Sequence, residues 1–398
     1  LLGILSASKT YAIFGNDAIF FILGALMLAS ALYKTGLGTR IAYRLITYFD
    51  DKPAKIIAGI ITSSALLSCI MPEHAVAAML FPIVFEIADS LGLQPIESNF
   101  GKALFLSLAW GAVIGGITTF LGGARNILAV NILQKNYDMT VGFFEWIKYS
   151  IPYSFTLLVI AYFMIIKVFT PEIDSVESAI DELREKIGEK GDLSKNEKNL
   201  LLVFAGVIFC WVFLSSYIDI SVTAILGGVM IFVLQIIDWH DMEEYINWGV
   251  ILMYGGAIVV ATALTDTGAA KWMADQVFSV IPLSPLVFIL LFALVTKLLT
   301  EGVSNVAAVA IVIPLAFSVG SVINLNPVAI TLMIALPGGL AFCLPMGAPP
   351  NAIAFSSGYL NLAEVVKLGL IMNVISIIVI YLVSKFYWPL VGLELILK

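Results

Sequence analysis

An all-α polytopic membrane protein built as an inverted repeat is the fold class this sequence predicts, and three observations predict it. The 398 residues are 60% hydrophobic and 12% charged, whereas a soluble domain is about half apolar and a quarter charged. Many apolar runs can cross a hydrocarbon core of about 30 Å, and they lack the alternation of strands. Two blocks of sequence also recur in a single register in the second half of the chain.

From the N-terminus, apolar segments lie near 17–33, 57–88, 102–133, 143–169, 199–216, 221–237, 247–265, 286–319, 327–356 and 365–384. Segments 57–88, 102–133 and 286–319 are too long for one span and too short for two with an ordinary loop. Each has polar residues, Gly or Pro near its middle, as re-entrant hairpins and broken helices do. Segment 327–356, with "LPGG" and "MGAPPN", has the same character. The expected division is a first repeat over 1–170 (hairpin 57–88, broken helix 102–133) and a second over 199–398 (hairpin 286–319, broken helix 327–356). The chain opens "LLGILSASKT", with neither Met nor a charged signal region, so an upstream portion is expected.

Between the repeats, residues 171–198 hold nine acids and five bases (Arg184, Lys186, Lys190, Lys195 and Lys198). They read as a linker in which "SAIDELREKIGEK" forms a solvated helix held by i,i+4 pairs. Lys34, Arg40, Arg44, Lys52 and Lys55 fall on the same side of the membrane by counting spans. The positive-inside rule makes that side, and the linker, cytoplasmic, and the cell membrane is the expected location. Cys69, Cys210 and Cys343 are scattered in apolar context, suggesting neither a disulfide framework nor a cysteine metal site. No transition metal is expected. No nucleophile constellation, phosphate loop or basic nucleic-acid patch is present, so an enzyme or a nucleic-acid partner is not expected.

The repeat is the most informative feature. "ALYKTG" at 31–36 matches "ALTDTG" at 263–268, and "LLSCIMPEHAVAAMLFPI" at 66–83 matches "LLTEGVSNVAAVAIVIPL" at 298–315, both at an offset of 232. "GGARN" at 122–126 matches "GAPPN" at 347–351 at 225. An odd number of crossings between copies inverts the second, the pattern of secondary transporters with a midplane site where broken helices meet. Pro72-Glu73-His74 is then the partner of Ser304-Asn305-Val306, each at a hairpin turn before an apolar helix. Ser304 can cap that helix and Pro72 suits a first turn. Two facing helix N-termini offer unpaired N–H groups and partial positive charge to an anion.

At these residues the chain resembles the divalent anion:sodium symporter (DASS) family, the dicarboxylate, citrate and sulfate carriers. "TEGVSNVAA", "MGAPPNAIAF", "LLGILSASKTYAIFGN" and "ALYKTGLGTRIAYRLI" carry the resemblance over nearly the whole chain. It implies eleven spans plus two hairpins in a full member, this chain starting near the end of the second span. It also implies a homodimer with a fixed scaffold and an elevator-type transport domain, a Ser-Asn-Thr triplet in each hairpin, one sodium beside each, and the anion between the tips. Carried over by position, Thr300, Val303, Asn305 and Gly347, with Ser304, correspond to the second sodium site. His74, Ser304, Asn305, Asn126, Asn351, Arg125 and Pro349 are candidates for the anion. Val306 stands where a Thr is usual, and Ala348 where a hydroxyl residue is common.

The first half departs from the pattern. Ser68 is kept, but Pro72, Glu73 and His74 replace the triplet, and Arg125 replaces a proline after Gly122. An intramembrane acid and base arriving in one half-site are expected to pair, because a lone charge there costs roughly 2.5–3.5 kcal/mol even on insertion scales. In that reading Ser68, Pro72, Glu73, Gly122 and Arg125 form a vestigial first sodium site with the guanidinium in the ion's place. A salt bridge without transport consequence, or Arg125 turned to the anion, are the alternatives. His74 can donate to the anion or bond only to hairpin backbone. His240 is expected at the surface, and Lys297 and Glu301 as an i,i+4 pair. The implied activity is sodium-coupled uptake of a small anion, a di- or tricarboxylate first, sulfate or phosphate next, with no cofactor. A proton-coupled carrier or anion exchanger, a cation/proton antiporter and a non-transporting sensor stay open.

Overall fold

The computed structural model describes residues 4–49, 52–189, 191–215, 217–246, 248–278 and 284–397. Lys190 of the linker lies outside them. The first half runs through helices α1 (Ala7–Ile13), α2 (Asp17–Thr35), α3 (Leu37–Tyr48), α4 (Pro53–Ser68), α5 (Glu73–Ser90), α6 (Asn99–Gly115), α7 (Ala124–Tyr137) and α8 (Phe143–Val168). Then come α9 (Glu177–Glu189), α10 (Lys195–Phe213), α11 (Ile220–Val233) and α12 (Trp239–Tyr245). The second half is α13 (Trp248–Asp266), α14 (Ala269–Phe278), α15 (Pro285–Gly302), α16 (Asn305–Gly320), α17 (Pro327–Gly338), α18 (Pro349–Ser356) and α19 (Leu362–Leu382).

The sequence repeat is a repeat of helix starts. α3 and α14 begin at 37 and 269, α4 and α15 at 53 and 285, α5 and α16 at 73 and 305, each pair 232 apart. The turns repeat in detail. Gly36 and Gly268 take left-handed φ of 70° and 72°, the conformation glycine adopts without steric cost. Before each, a Thr hydroxyl donates four residues back, Thr35 to Ala31 O and Thr267 to Ala263 O, both at 2.7 Å. α2 and α13 run antiparallel: Lys34 at the end of α2 bridges Asp241 just before α13, while Lys9 bridges Asp266 at the end of α13.

Among the described residues, five helices are long and apolar enough to span a membrane, including Phe143–Val168 and Leu362–Tyr387. Their outward faces keep large apolar side chains exposed, Phe155 at 65% and Phe163 at 62%. That is the surface a multi-pass membrane protein offers to lipid. α4 and α17 are different. At 16 and 12 residues they reach roughly 24 and 18 Å, short of the bilayer. α4 and α5 turn back at 69–72 and α15 and α16 at 303–304, forming two hairpins. α6 and α7 are separated by an irregular stretch over 116–123, and α17 and α18 by one over 339–348. The second part of each broken helix lies against the other repeat's hairpin, α7 on α16 and α18 on α5. Close approach within the block needs small residues. A Cβ on Gly115 of α6 would sit 2.3 Å from the Ala65 carbonyl oxygen of α4.

The charged segment differs from the solvated helix its composition predicts. α9 docks on α3 and α5, burying Val176, Ala179, Ile180 and Leu183. Its helical charge pairs form at Arg184–Asp181 and Lys186–Glu182. Lys186 also bridges Glu86 of α5. Apolar residues at i, i+3, i+4 and i+7 make one face of a helix, and that stripe was hidden by the density of charge around it.

Candidate functional site

A cavity of about 480 Å³ opens where the two hairpin tips meet the two breaks. Pro72, Glu73 and His74 reach it from the first hairpin, and Ser304, Asn305 and Val306 from the second. Gly122, Gly123 and Arg125 come from one break, Gly347 and Pro349 from the other. The N-termini of α5, α7, α16 and α18 all begin at this cavity. α16 is capped by Ser304, whose hydroxyl accepts from the Ala307 N–H at 3.3 Å, as its residue type predicts. α2 and α13 form the facing wall.

In the first half-site Arg125 and Glu73 make a bidentate ion pair, Nη1 to Oε1 at 3.0 Å and Nη2 to Oε2 at 2.9 Å. Both are buried, at 3% and 5% exposure. The fork of the guanidinium matches a carboxylate in this geometry, each terminal nitrogen giving one N–H to Glu73. Three glycines make room. A Cβ on Gly116 would lie 2.3 Å from Glu73 Oε2, one on Gly123 2.6 Å from Arg125 Nη1, and one on Gly339 2.2 Å from Arg125 Nε. The Glu73 N–H donates to Gly122 O at 3.0 Å, tying tip to break. Ser68, at the end of α4, is fully buried, and its hydroxyl has no partner among the described residues.

In the second half-site, oxygens converge instead. The Thr300 hydroxyl contacts Asn305 Oδ1 and lies 2.7 Å from Gly338 O. One hydroxyl proton can serve only one of these acceptors, which leaves a cluster of neutral oxygens with lone pairs to spare. Thr300 and Val303 lie outside the cavity lining, while Asn305 and Gly347 belong to it.

Asn126 and Asn351 are placed differently from the anion contacts their position implies. Neither lines the cavity. Asn126 Nδ2 donates to Gly116 O at 3.0 Å and Thr119 O at 2.7 Å, and Asn351 Nδ2 to Ala341 O at 3.0 Å and Leu344 O at 3.2 Å. Each amide folds back ten and seven residues to close its own break, where irregular backbone leaves carbonyls without helical partners. Lys297 and Glu301 do not pair. Lys297 Nζ donates to Leu340 O and lies over the Phe342 ring. Glu301 accepts from the N–H groups of Phe342, Cys343 and Leu344 and from Asn373 Nδ2. The irregular segment between α17 and α18 needs these partners more than the two side chains need each other. His240 is exposed, as expected.

Glu301→Gln is therefore expected to destabilise the protein by about 1–3 kcal/mol, the cost of unsatisfied buried donors. A thermal melt of the purified variant equal to that of the wild type would rule this out.

Residues 2–394 match the family model described as the sodium:sulfate symporter transmembrane region. The chain belongs to this family. Members are transporters, not enzymes. A sodium-dependent dicarboxylate transporter, SdcS, of Staphylococcus saprophyticus is 28% identical over 97% of this chain and 79% of its own length. SdcS of Staphylococcus aureus USA300 is 27% identical over 98% and 79%. Among solved structures, MtrF of Neisseria gonorrhoeae superposes with a TM-score of 0.67 at 15% identity, covering 98% of this chain and 85% of MtrF. The Alcanivorax borkumensis YdaH transporter gives 0.62 at 12% identity, covering 98% and 90%. These two share the fold of this symporter-family chain.

Two cavity residues escape a reading based on the family's motifs. Met253 and Tyr254 of α13 face the tips, and Met253 Sδ lies 3.6 Å from Ser304 Oγ. Only the repeat offset points to them, through Ile22 of α2, also in the lining and 232 residues earlier.

Proposed function

We propose that this chain is a sodium-coupled secondary transporter of small dicarboxylates that binds one coupling sodium at the second hairpin, the Arg125–Glu73 pair standing in place of the first. The observation that carries this is the asymmetry of the half-sites. Neutral oxygens of Thr300, Asn305 and Gly338 converge in one, and a cation already bonded to its carboxylate occupies the other. A cation binds the oxygen cluster without the like-charge repulsion the guanidinium would impose in the first half-site. The anion then sits between the tips on helix N-termini, with Ser304, Asn305, His74 and Pro349 as its neighbours. Relatives named as sodium-dependent dicarboxylate transporters support the substrate and ion assignments. In this reading the hairpins and broken helices move together past the apolar wall of α2 and α13. The working unit is a homodimer, with residues 1–170 and 199–398 as the two repeats and 171–198 on the cytoplasmic side. Uptake of succinate into proteoliposomes, driven by a sodium gradient, tests the function. Equal uptake in the absence of sodium would replace it with exchange or proton coupling.

His74 lines the cavity at the first turn of α5. An imidazolium donates two hydrogen bonds and adds positive charge, so anion affinity is expected to rise as pH falls. Sulfate, which does not titrate in this range, is the probe where it competes for uptake. His74→Gln is expected to flatten the profile, and an unchanged profile in that variant returns His74 to a purely structural role.

A further inference from the structure

The cavity has one polar group that neither the coupling ion nor the hairpin tips account for. Tyr254, on α13, lines it and is only 4% exposed. Its hydroxyl makes no hydrogen bond among the described residues, and it is not one of their fully enclosed unpartnered polar atoms. Buried phenol hydroxyls normally have a partner. The rest of its wall is apolar: Phe21, Ile22, Ala25 and Leu26 of α2, with Met253 beside it. The equivalent position in the first repeat, Ile22, has no polar atom to offer. The phenol lines the same cavity as Arg125 and Glu73.

This places one hydrogen-bond donor opposite the helix N-termini that face the anion from the tips. A compact oxyanion held at the tips leaves that donor empty. An anion with acceptor oxygens at both ends spans from the tips to the α13 wall. The cavity, at about 480 Å³, has the room for it. We infer that Tyr254 is a specificity-determining residue whose hydroxyl donates to the far carboxylate of a short dicarboxylate. The inference rests on the reading of this cavity as the anion site.

The test is Tyr254→Phe in the full chain, which keeps the ring and its packing and removes the donor. Succinate uptake into proteoliposomes gives KM and kcat. The sodium activation constant and a thermal melt are measured in parallel. A hydrogen bond to a charged group is worth about 1.5–3 kcal/mol, so KM for succinate is expected to rise about tenfold or more. The kcat, sodium activation and melting temperature stay at wild-type values. An unchanged KM overturns the assignment. So does a rise in KM that comes with weakened sodium activation and a lowered melt, since that is the signature of lost packing. Failure of the wild type to take up succinate under a sodium gradient is a separate outcome: it removes the functional reading, and the Tyr254 assignment with it.

Discussion

Arg125→Met is expected to cost about 3–5 kcal/mol of stability and to abolish transport, because it strands the Glu73 carboxylate in the membrane interior. Glu73→Gln is expected to do the same from the other side. The bidentate geometry leaves the survivor no second partner: Glu73 bonds through its two oxygens to Arg125 alone, and Arg125 Nε is already unpartnered. Glu73→Asn with Arg125→Pro removes both charges together and rebuilds the neutral pattern of the second half. That double variant is expected to fold better than either single one and to couple one more sodium ion per succinate. Thermal melts rank the folding, and the reversal potential of sodium-driven succinate flux counts the ions. Single variants that melt and transport as the wild type does would falsify the pair's role, and an unchanged ion count in the double variant would show that the pair does not stand in for sodium.

Asn305→Ala is the second large effect, an expected loss of uptake by on the order of 100-fold. Asn305 is 7% exposed, faces the cavity and has its Oδ1 against the Thr300 hydroxyl. In the proposed reading one amide serves the cation through its oxygen and the anion through its nitrogen. Each hydrogen bond to a charged group is worth about 1.5–3 kcal/mol, and every 1.4 kcal/mol is a factor of ten. The variant should still fold, because Ser304 and not Asn305 caps α16. Folded, dimeric Asn305→Ala with ordinary sodium-dependent uptake would move both ligands elsewhere.

The hairpins, the breaks and the inverted repeat were legible in the sequence because the bilayer restricts backbone so strongly. Gly and Pro that interrupt an apolar run free backbone groups, and the bilayer tolerates these only where the protein or a water-filled cavity satisfies them. The Glu73–Arg125 contact was legible for a similar reason, since two opposite charges in one intramembrane half-site must find each other. The roles of Asn126 and Asn351 were not. A motif position shows that an amide is needed, and only the fold shows that it turns inward to its own break. Glu301 and Lys297 show the limit of spacing arguments. Four residues apart on a helix puts two charges within reach, but three free backbone N–H groups of residues 342–344 compete for the carboxylate and win. Tyr254 was hidden because its helix reads as an ordinary span, with nothing local to mark the face turned toward the tips.

The glycines around the guanidinium constrain how such a site can arise or disappear. Gly116, Gly123 and Gly339 each lack a Cβ that would collide with the pair, and Gly339 belongs to the opposite half of the chain. A lineage gaining Arg125 first meets an unneutralised charge, and one gaining any side chain at these glycines closes the pocket to the arginine. The passable order is small residues first, the acid and the base nearly together, and side chains at the glycines only after both charges have gone. In the proposed reading, a return to two coupling ions requires both charges to leave together, since either single step leaves the other charge stranded.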